Sequence, residues 1–136
     1  MALNPKTSLA SRALALNAAF DILNSGHLLI YDGTQPVDAD TALGAQVLGA
    51  DLGLNATAFA AASAGSKVAN AITQDSDANA SINPATWGTL VVTSRATTGT
   101  MDFSVGTSGA NMNLNTTNIV IHAAVSCSSL TITQAA

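Results

Sequence analysis

Apolar residues recur at helical spacing once in this chain, near its start, and this change of period constrains the fold more than any other feature. Leu9, Leu16, Phe20 and Leu23 fall on one face of a helix, with Leu14 and Ile22 as a second ridge beside them. Thr7 or Ser8 stands where a helix cap belongs, its hydroxyl able to accept from the free amides of the first turn. Ser25-Gly26 supplies a stop, because glycine takes the left-handed backbone that closes many helices. The spacing predicts a helix over residues 9–25 that packs through Leu9, Leu16, Phe20 and Leu23. Its opposite face, with Ser11, Arg12, Ala15 and Ala19, is small rather than polar, which lets another element approach closely.

After Ser25 the pattern becomes that of β-structure. Residues 27–31 form a short branched and aromatic run that ends at the turn signal Asp32-Gly33, with Pro36 soon after. Residues 34–40 read as an irregular loop, and 42–54 as a strand with bulges at its glycines. The Ala-rich stretch 56–64 suits helix or extended chain, 67–73 suits a strand, and 74–85 is the most loop-like segment. A strand is expected over 87–94 and a turn over 96–100. Met101, Phe103 and Val105 alternate with Asp102 and Ser104 as a half-buried strand, followed by a turn at 106–109. Residues 117–124 and 125–133 close the domain as strands. Val125 and Cys127 hold one alternation phase, Leu130 and Ile132 the other, which puts a bulge at Ser128-Ser129.

These signals predict a mainly β, single-domain antiparallel β-sandwich or barrel preceded by one N-terminal amphipathic α-helix. The single domain spans 1–136: an arm over 1–8, the helix over 9–25 and a β-rich body over 27–134.

A chain of 136 residues buries one modest core, and here 48% hydrophobic residues include only 4% aromatics. Much of the apolar share is alanine, which buries little area per residue. Such a core gains from association with copies of itself, so a dimer or trimer is expected. Charged residues are 9% of the chain and the net charge is −4. Lys6, Arg12, Lys67 and Arg95 are far apart and form no run, so the footprint of a nucleic-acid partner is missing. The lone Cys127 excludes an intrachain disulfide and reads as an inert strand cysteine. Asn17 and Asp21 break the first apolar run, against a signal peptide, and no stretch approaches the ~20 apolar residues of a membrane span.

The residues of catalysis do not assemble into a known constellation. His27, His122 and Cys127 are too few for most metal centres. There is no nucleophile elbow, phosphate loop or dinucleotide fingerprint, and with no Glu a glycosidase pair would have to be two Asp. No catalytic residue, cofactor or metal is therefore expected. Asp75, Asp77 and Asn79 match the opening of a calcium loop, but Ala80 stands at its glycine position and Thr86 at its bidentate acid. That leaves at most a weak surface site. Asp38 and Asp40 form a second acidic pair, and the plainer reading of both pairs is a solvated turn.

The stretch Tyr31-Asp32-Gly33-Thr34-Gln35-Pro36, with Asp38-Ala39-Asp40-Thr41-Ala42-Leu43 after it, resembles a group of small structural proteins of tailed bacteriophages. Thr86-Trp87, Met101-Asp102, Val105-Gly106-Thr107-Ser108-Gly109-Ala110 and Asn113-Leu114-Asn115 carry the resemblance on, over residues 30–133. The chain departs from the group at Gly88-Thr89, where a bulkier strand pair is commoner. The resemblance implies a non-enzymatic virion component made in the host cytoplasm. Within that class the acidic, weakly charged surface favours a capsid cement or decoration protein on the outer face of the head, with the major capsid protein as partner. A tail or neck subunit is the alternative, followed by an exported adhesin-like module. Contacts are expected from the arm, with Leu3, Asn4, Pro5 and Lys6, and from the loop, with Thr34, Gln35, Pro36 and Val37.

Overall fold

The computed structural model describes residues 5–95 and 101–134. The helix α1 (Leu9–Phe20) runs into a single 3₁₀ turn, Asp21–Leu23, as the period predicted. Ser8 is the cap: its hydroxyl accepts from the Ser11 amide at 3.1 Å. At the other end Ser25, not Gly26, takes the left-handed conformation, with φ of 59°. Gly26 serves close packing instead, since a Cβ there would lie 2.5 Å from the Val91 carbonyl oxygen. Leu16, Phe20 and Leu23 are buried, and the Phe20 ring meets Phe59 edge-on at 5.4 Å. Leu9 is a correction to the expected packing set: it is 55% exposed, in a first turn whose Ala10 and Ser11 are exposed as well.

The body is mainly β, a curled sheet of seven strands in the order β2-β1-β4-β5-β6-β7-β3. The strands are β1 (His27–Tyr31), β2 (Leu48–Gly53), β3 (Ser66–Val68), β4 (Trp87–Val91), β5 (Met101–Gly106), β6 (Met112–Leu114) and β7 (Cys127–Thr133). All neighbours pair antiparallel except β5 and β6, which meet in parallel over Val105–Met112 and Gly106–Asn113. That contact covers two residue pairs, and Gly109, with φ of 68°, helps turn the chain back into it.

Register follows alternation. Leu28 and Ile30 of β1 face Leu52 and Ala50 of β2 and Leu90 and Gly88 of β4, so these residues share the inner face. They join the helix residues and Leu130 and Ile132 in one core. Gly88 explains the departure from a bulkier pair, because a Cβ there would lie 2.9 Å from Met112 Sδ and 3.1 Å from the Leu29 oxygen. The ladders of β4 with β1 and β5 are regular through it.

The ends of the sheet order are tied together. Residues 73–79 run along the outer edge of β2, with a bridge from Gly53 to Thr73 and a bond from the Asn79 amide to the Gly49 oxygen. The Asp75 carboxylate accepts from the Asp51 amide of β2, while the Asp75 backbone exchanges two bonds with Val125, just before β7. The result is barrel-like.

Several expected strands are shorter than their patterns. The region 42–54 yields only β2, since Gln46 and Asp32 hold the residues before it to a loop. Residues 67–73 leave β7 after Ala69, and 92–94 do not continue β4. Residues 117–124 form no strand: Ile119 makes one bridge to Ile82, and the chain turns at His122, with φ of 66°. Of residues 56–64, the stretch 58–63 is extended, bridging β3 and its continuation through Ser63 and Phe59, and Ala64 turns the chain with φ of 51°. The expected bulge is present, because Ser129 pairs with Asn113 and Cys127 with Leu114, leaving Ser128 over. The expected turn at 96–100 lies outside the described residues.

Candidate functional site

The most built-up surface feature is the loop over residues 32–47, which joins β1 to β2 on the outer side of the sheet. Its anchor is the outer face of β1 and β4, where the rings of Tyr31 and Trp87 stack at 4.8 Å. Trp87 Nε1 donates to the Asp32 oxygen at 3.0 Å, and the Thr86 hydroxyl to the Gly33 oxygen at 2.6 Å. Arg95 lies over the Trp87 ring at 5.4 Å and pairs with Asp102 of β5 at 2.5 Å. The two side chains are only 6% and 4% exposed. The guanidinium also donates to the carbonyl oxygens of Asp38, at 3.1 Å, and Thr41. A planar fork with five donors suits this task, since one side chain can hold a carboxylate and two carbonyls together.

Within the loop, Asp38 accepts from the Asp40 and Thr41 amides and from the Thr41 hydroxyl. Those bonds, the hydroxyl's first, hold its carboxyl below the ordinary value of 3.8. Gln46 donates to the Thr34 oxygen, and Asp32 accepts from the Val47 amide. The loop is irregular in backbone yet cross-braced, and Val37 stands at its tip, 95% exposed. Of the expected contact residues, Thr34 and Gln35 are exposed beside it and Pro36 is half-buried. Pro5 and Lys6 of the arm are exposed, whereas Leu3 and Asn4 lie outside the described residues.

The other chemistry-bearing residues have structural partners. Asp75 accepts from the Asp51 and Asp77 amides, and Asp77 pairs with His122 at 2.5 Å, so the acids of the calcium-like run close a turn. No group of three metal-binding side chains occurs among the described residues. His27 pairs with Asp51 at 2.9 Å. Burial raises the Cys127 thiol above its ordinary value, which keeps it protonated and unreactive at neutral pH. Lys67 is 1% exposed and staples β3 to α1, donating to Asn17 Oδ1 at 2.7 Å and meeting Asp21 at 2.9 Å.

Sequence reasoning found the loop but missed Arg95 and Lys67, each a cation with no charged run around it. The available signal for Arg95 was Asp102 seven positions on, across an expected turn. Compared with known proteins, the chain matches no family model, and neither a curated protein nor a solved structure is significantly similar to it.

Proposed function

We propose that this chain is a non-catalytic structural protein that binds a larger protein surface, and specifically a cement or decoration protein on the outer capsid of a tailed bacteriophage. The observation that carries the reading is the braced loop, which presents Val37 to solvent on a backbone held by Arg95. A loop already ordered in its contact shape loses little conformational entropy on binding. One such contact is small, but a shell repeats it many times, and linked contacts strengthen one another through effective concentration. The acidic, weakly charged composition and the resemblance over residues 30–133 support a coat protein as the partner, the major capsid protein first.

The test is to mix purified chain with particles that lack it and to measure bound protein and resistance to heat. Binding is expected, with depleted particles assembling normally but breaking at lower temperature. Val37→Asp should weaken binding while the melting curve of the isolated chain stays unchanged, since the side chain touches solvent. Removing residues 1–4 measures the contribution of the arm in the same assay. Failure of the intact chain to bind heads, with binding to tail tubes instead, would replace the capsid reading with a tail one.

A further inference from the structure

A strand in an antiparallel sheet turns its backbone groups to one neighbour and then the other, residue by residue. The bond from the Leu54 amide to the Gly26 oxygen sets this alternation for the run β2-β1-β4-β5. By register, Leu28 and Ile30 bond to β2, Leu29 and Tyr31 to β4, and Gly88 and Leu90 to Phe103 and Met101 of β5. The Asp102 amide and carbonyl therefore point away from β4. On β7, bonds from the Ala69 amide to the Leu130 oxygen and from the Gln134 amide to the Gly65 oxygen turn Leu130, Ile132 and Gln134 toward β3. The Thr133 amide and carbonyl therefore point away from β3.

Asp102 and Thr133 face one lane of the sheet from its two sides. Lower down β6 fills that lane, between Val105 and Leu130. Its last residue there is Asn111, whose amide donates to the Ser104 hydroxyl and whose oxygen accepts from the Thr131 amide. Two residues further along each wall, no backbone bond enters the lane among the described residues. Its floor is apolar: Phe103 and Ile132 from the walls, with Ala15, Ala19 and Phe20 of α1 beneath, around an open volume of about 420 Å³.

We propose that this lane receives a short extended segment of the partner protein, which adds as a strand between β5 and β7. The polarity of the walls selects the occupant. Each wall offers a donor and an acceptor, and their partial charges complement an extended backbone, which presents both to either side in turn. A helix satisfies neither wall, since its backbone groups are bonded within itself. A guest residue that points inward here lies over Ala19 and Phe20, so it is apolar. Asp102 turns its carboxylate to the outer face, where Arg95 pairs it, so the lane favours an uncharged segment. The proposal rests on the reading above for who supplies the segment, while the lane belongs to this chain alone.

The probe is the capped heptapeptide Ser-Val-Thr-Leu-Thr-Val-Ser, with a version whose backbone amides are methylated. Titrated into the full chain, the peptide is expected to shift the Asp102 and Thr133 amide resonances and to slow their hydrogen exchange by about tenfold or more. The methylated version should do neither. Thr133→Pro removes a donor of the lane and leaves the ladder to β3 intact, so it should weaken the binding of peptide and of particles by about tenfold. Ala19→Phe fills the floor and should weaken both as much. Equal binding of the methylated peptide, shifts confined to other residues, or no binding at millimolar concentration overturns the proposal. Slow exchange of both amides in the free chain would mean that the chain fills its own lane, with residues 1–4 as the occupant if their removal quickens it, and would also overturn it. Peptide binding without particle binding would sink the capsid reading and leave the lane standing. Particle binding that both variants leave undiminished would sink this proposal alone.

Discussion

The two faces of the β2-β1-β4-β5 sheet are covered in opposite ways. On the inner face α1 lies over Leu28, Ile30 and Leu90 through Leu16, Phe20 and Leu23, all apolar and in one continuous core. On the outer face the loop over residues 32–47 lies against Tyr31 and Trp87, and polar bonds hold it: Arg95 to Asp102, Asp38 and Thr41, Trp87 to Asp32, Thr86 to Gly33. The apolar cover resists through area removed from water, which is tolerant of small shifts in position. The polar cover resists through directed bonds, which fix one geometry and cost heavily when half removed. The difference separates stability from shape, the helix side carrying more of the first and the loop side more of the second.

The largest expected effect tests the helix side. Phe20→Ala should cost about 3–5 kcal/mol, read from the denaturant midpoint, because the ring is buried against Phe59 and near Phe103. A loss below about 1 kcal/mol would mean that the helix contributes little to the core. Next comes the loop side. Asp102→Asn should cost about 1.5–3 kcal/mol, as a charged hydrogen bond to buried Arg95 is lost. Arg95→Met with Asp102→Leu sharpens the contrast. Replacing a buried pair by apolar residues of similar size recovers most of the stability. The Asp38 and Thr41 carbonyls still lose their donor, so hydrogen exchange should quicken in residues 38–44 and nowhere else. Exchange rising equally in α1 would break the separation of the two faces.

Smaller effects follow. Ser8→Ala should cost about 1 kcal/mol, since only the cap of the first turn is lost. The smallest is a pH effect at the loop. The folded-state pKa of Asp38 is depressed, so the turn it closes is fully braced above the ordinary value and loosens as pH falls through the folded value. The amide resonance of Thr41 should titrate with a midpoint below 3.8, and a midpoint at or above it would contradict the bonds described.

The two covers also differ in how far they could be read from sequence. The helix was legible because its period is local, as were β1, β5 and the extra residue at Ser128, each fixed by alternation. The position of the loop was legible from Asp32-Gly33 and Pro36, but its bracing was not. Trp87 reaches Asp32 across 55 positions, and Arg95 reaches Thr41 across 54. No local pattern encodes such pairs. The same limit explains residues 117–124, whose branched run looks like a strand. It is bent into a turn because Ile119 and Val125 each bridge a different part of the chain, Ile82 and Asp75. Gly88 was read as an anomaly for a related reason: the Met112 sulfur that forbids a larger residue comes from a distant strand.

The segments that flank β2 and β3 have a further consequence. An open strand rim is a template on which another chain can add, layer after layer, and such growth leads to fibres. This chain has many short Val, Thr and Ala runs and little charge to keep copies apart. Along β2 the Asp75 carboxylate occupies an amide that an incoming strand would need, and residues 73–79 shield the rest. Along β3 the Ala60 amide and Ser63 do the same. Copies crowded together at high concentration are thereby denied these two rims as places where strand could add to strand.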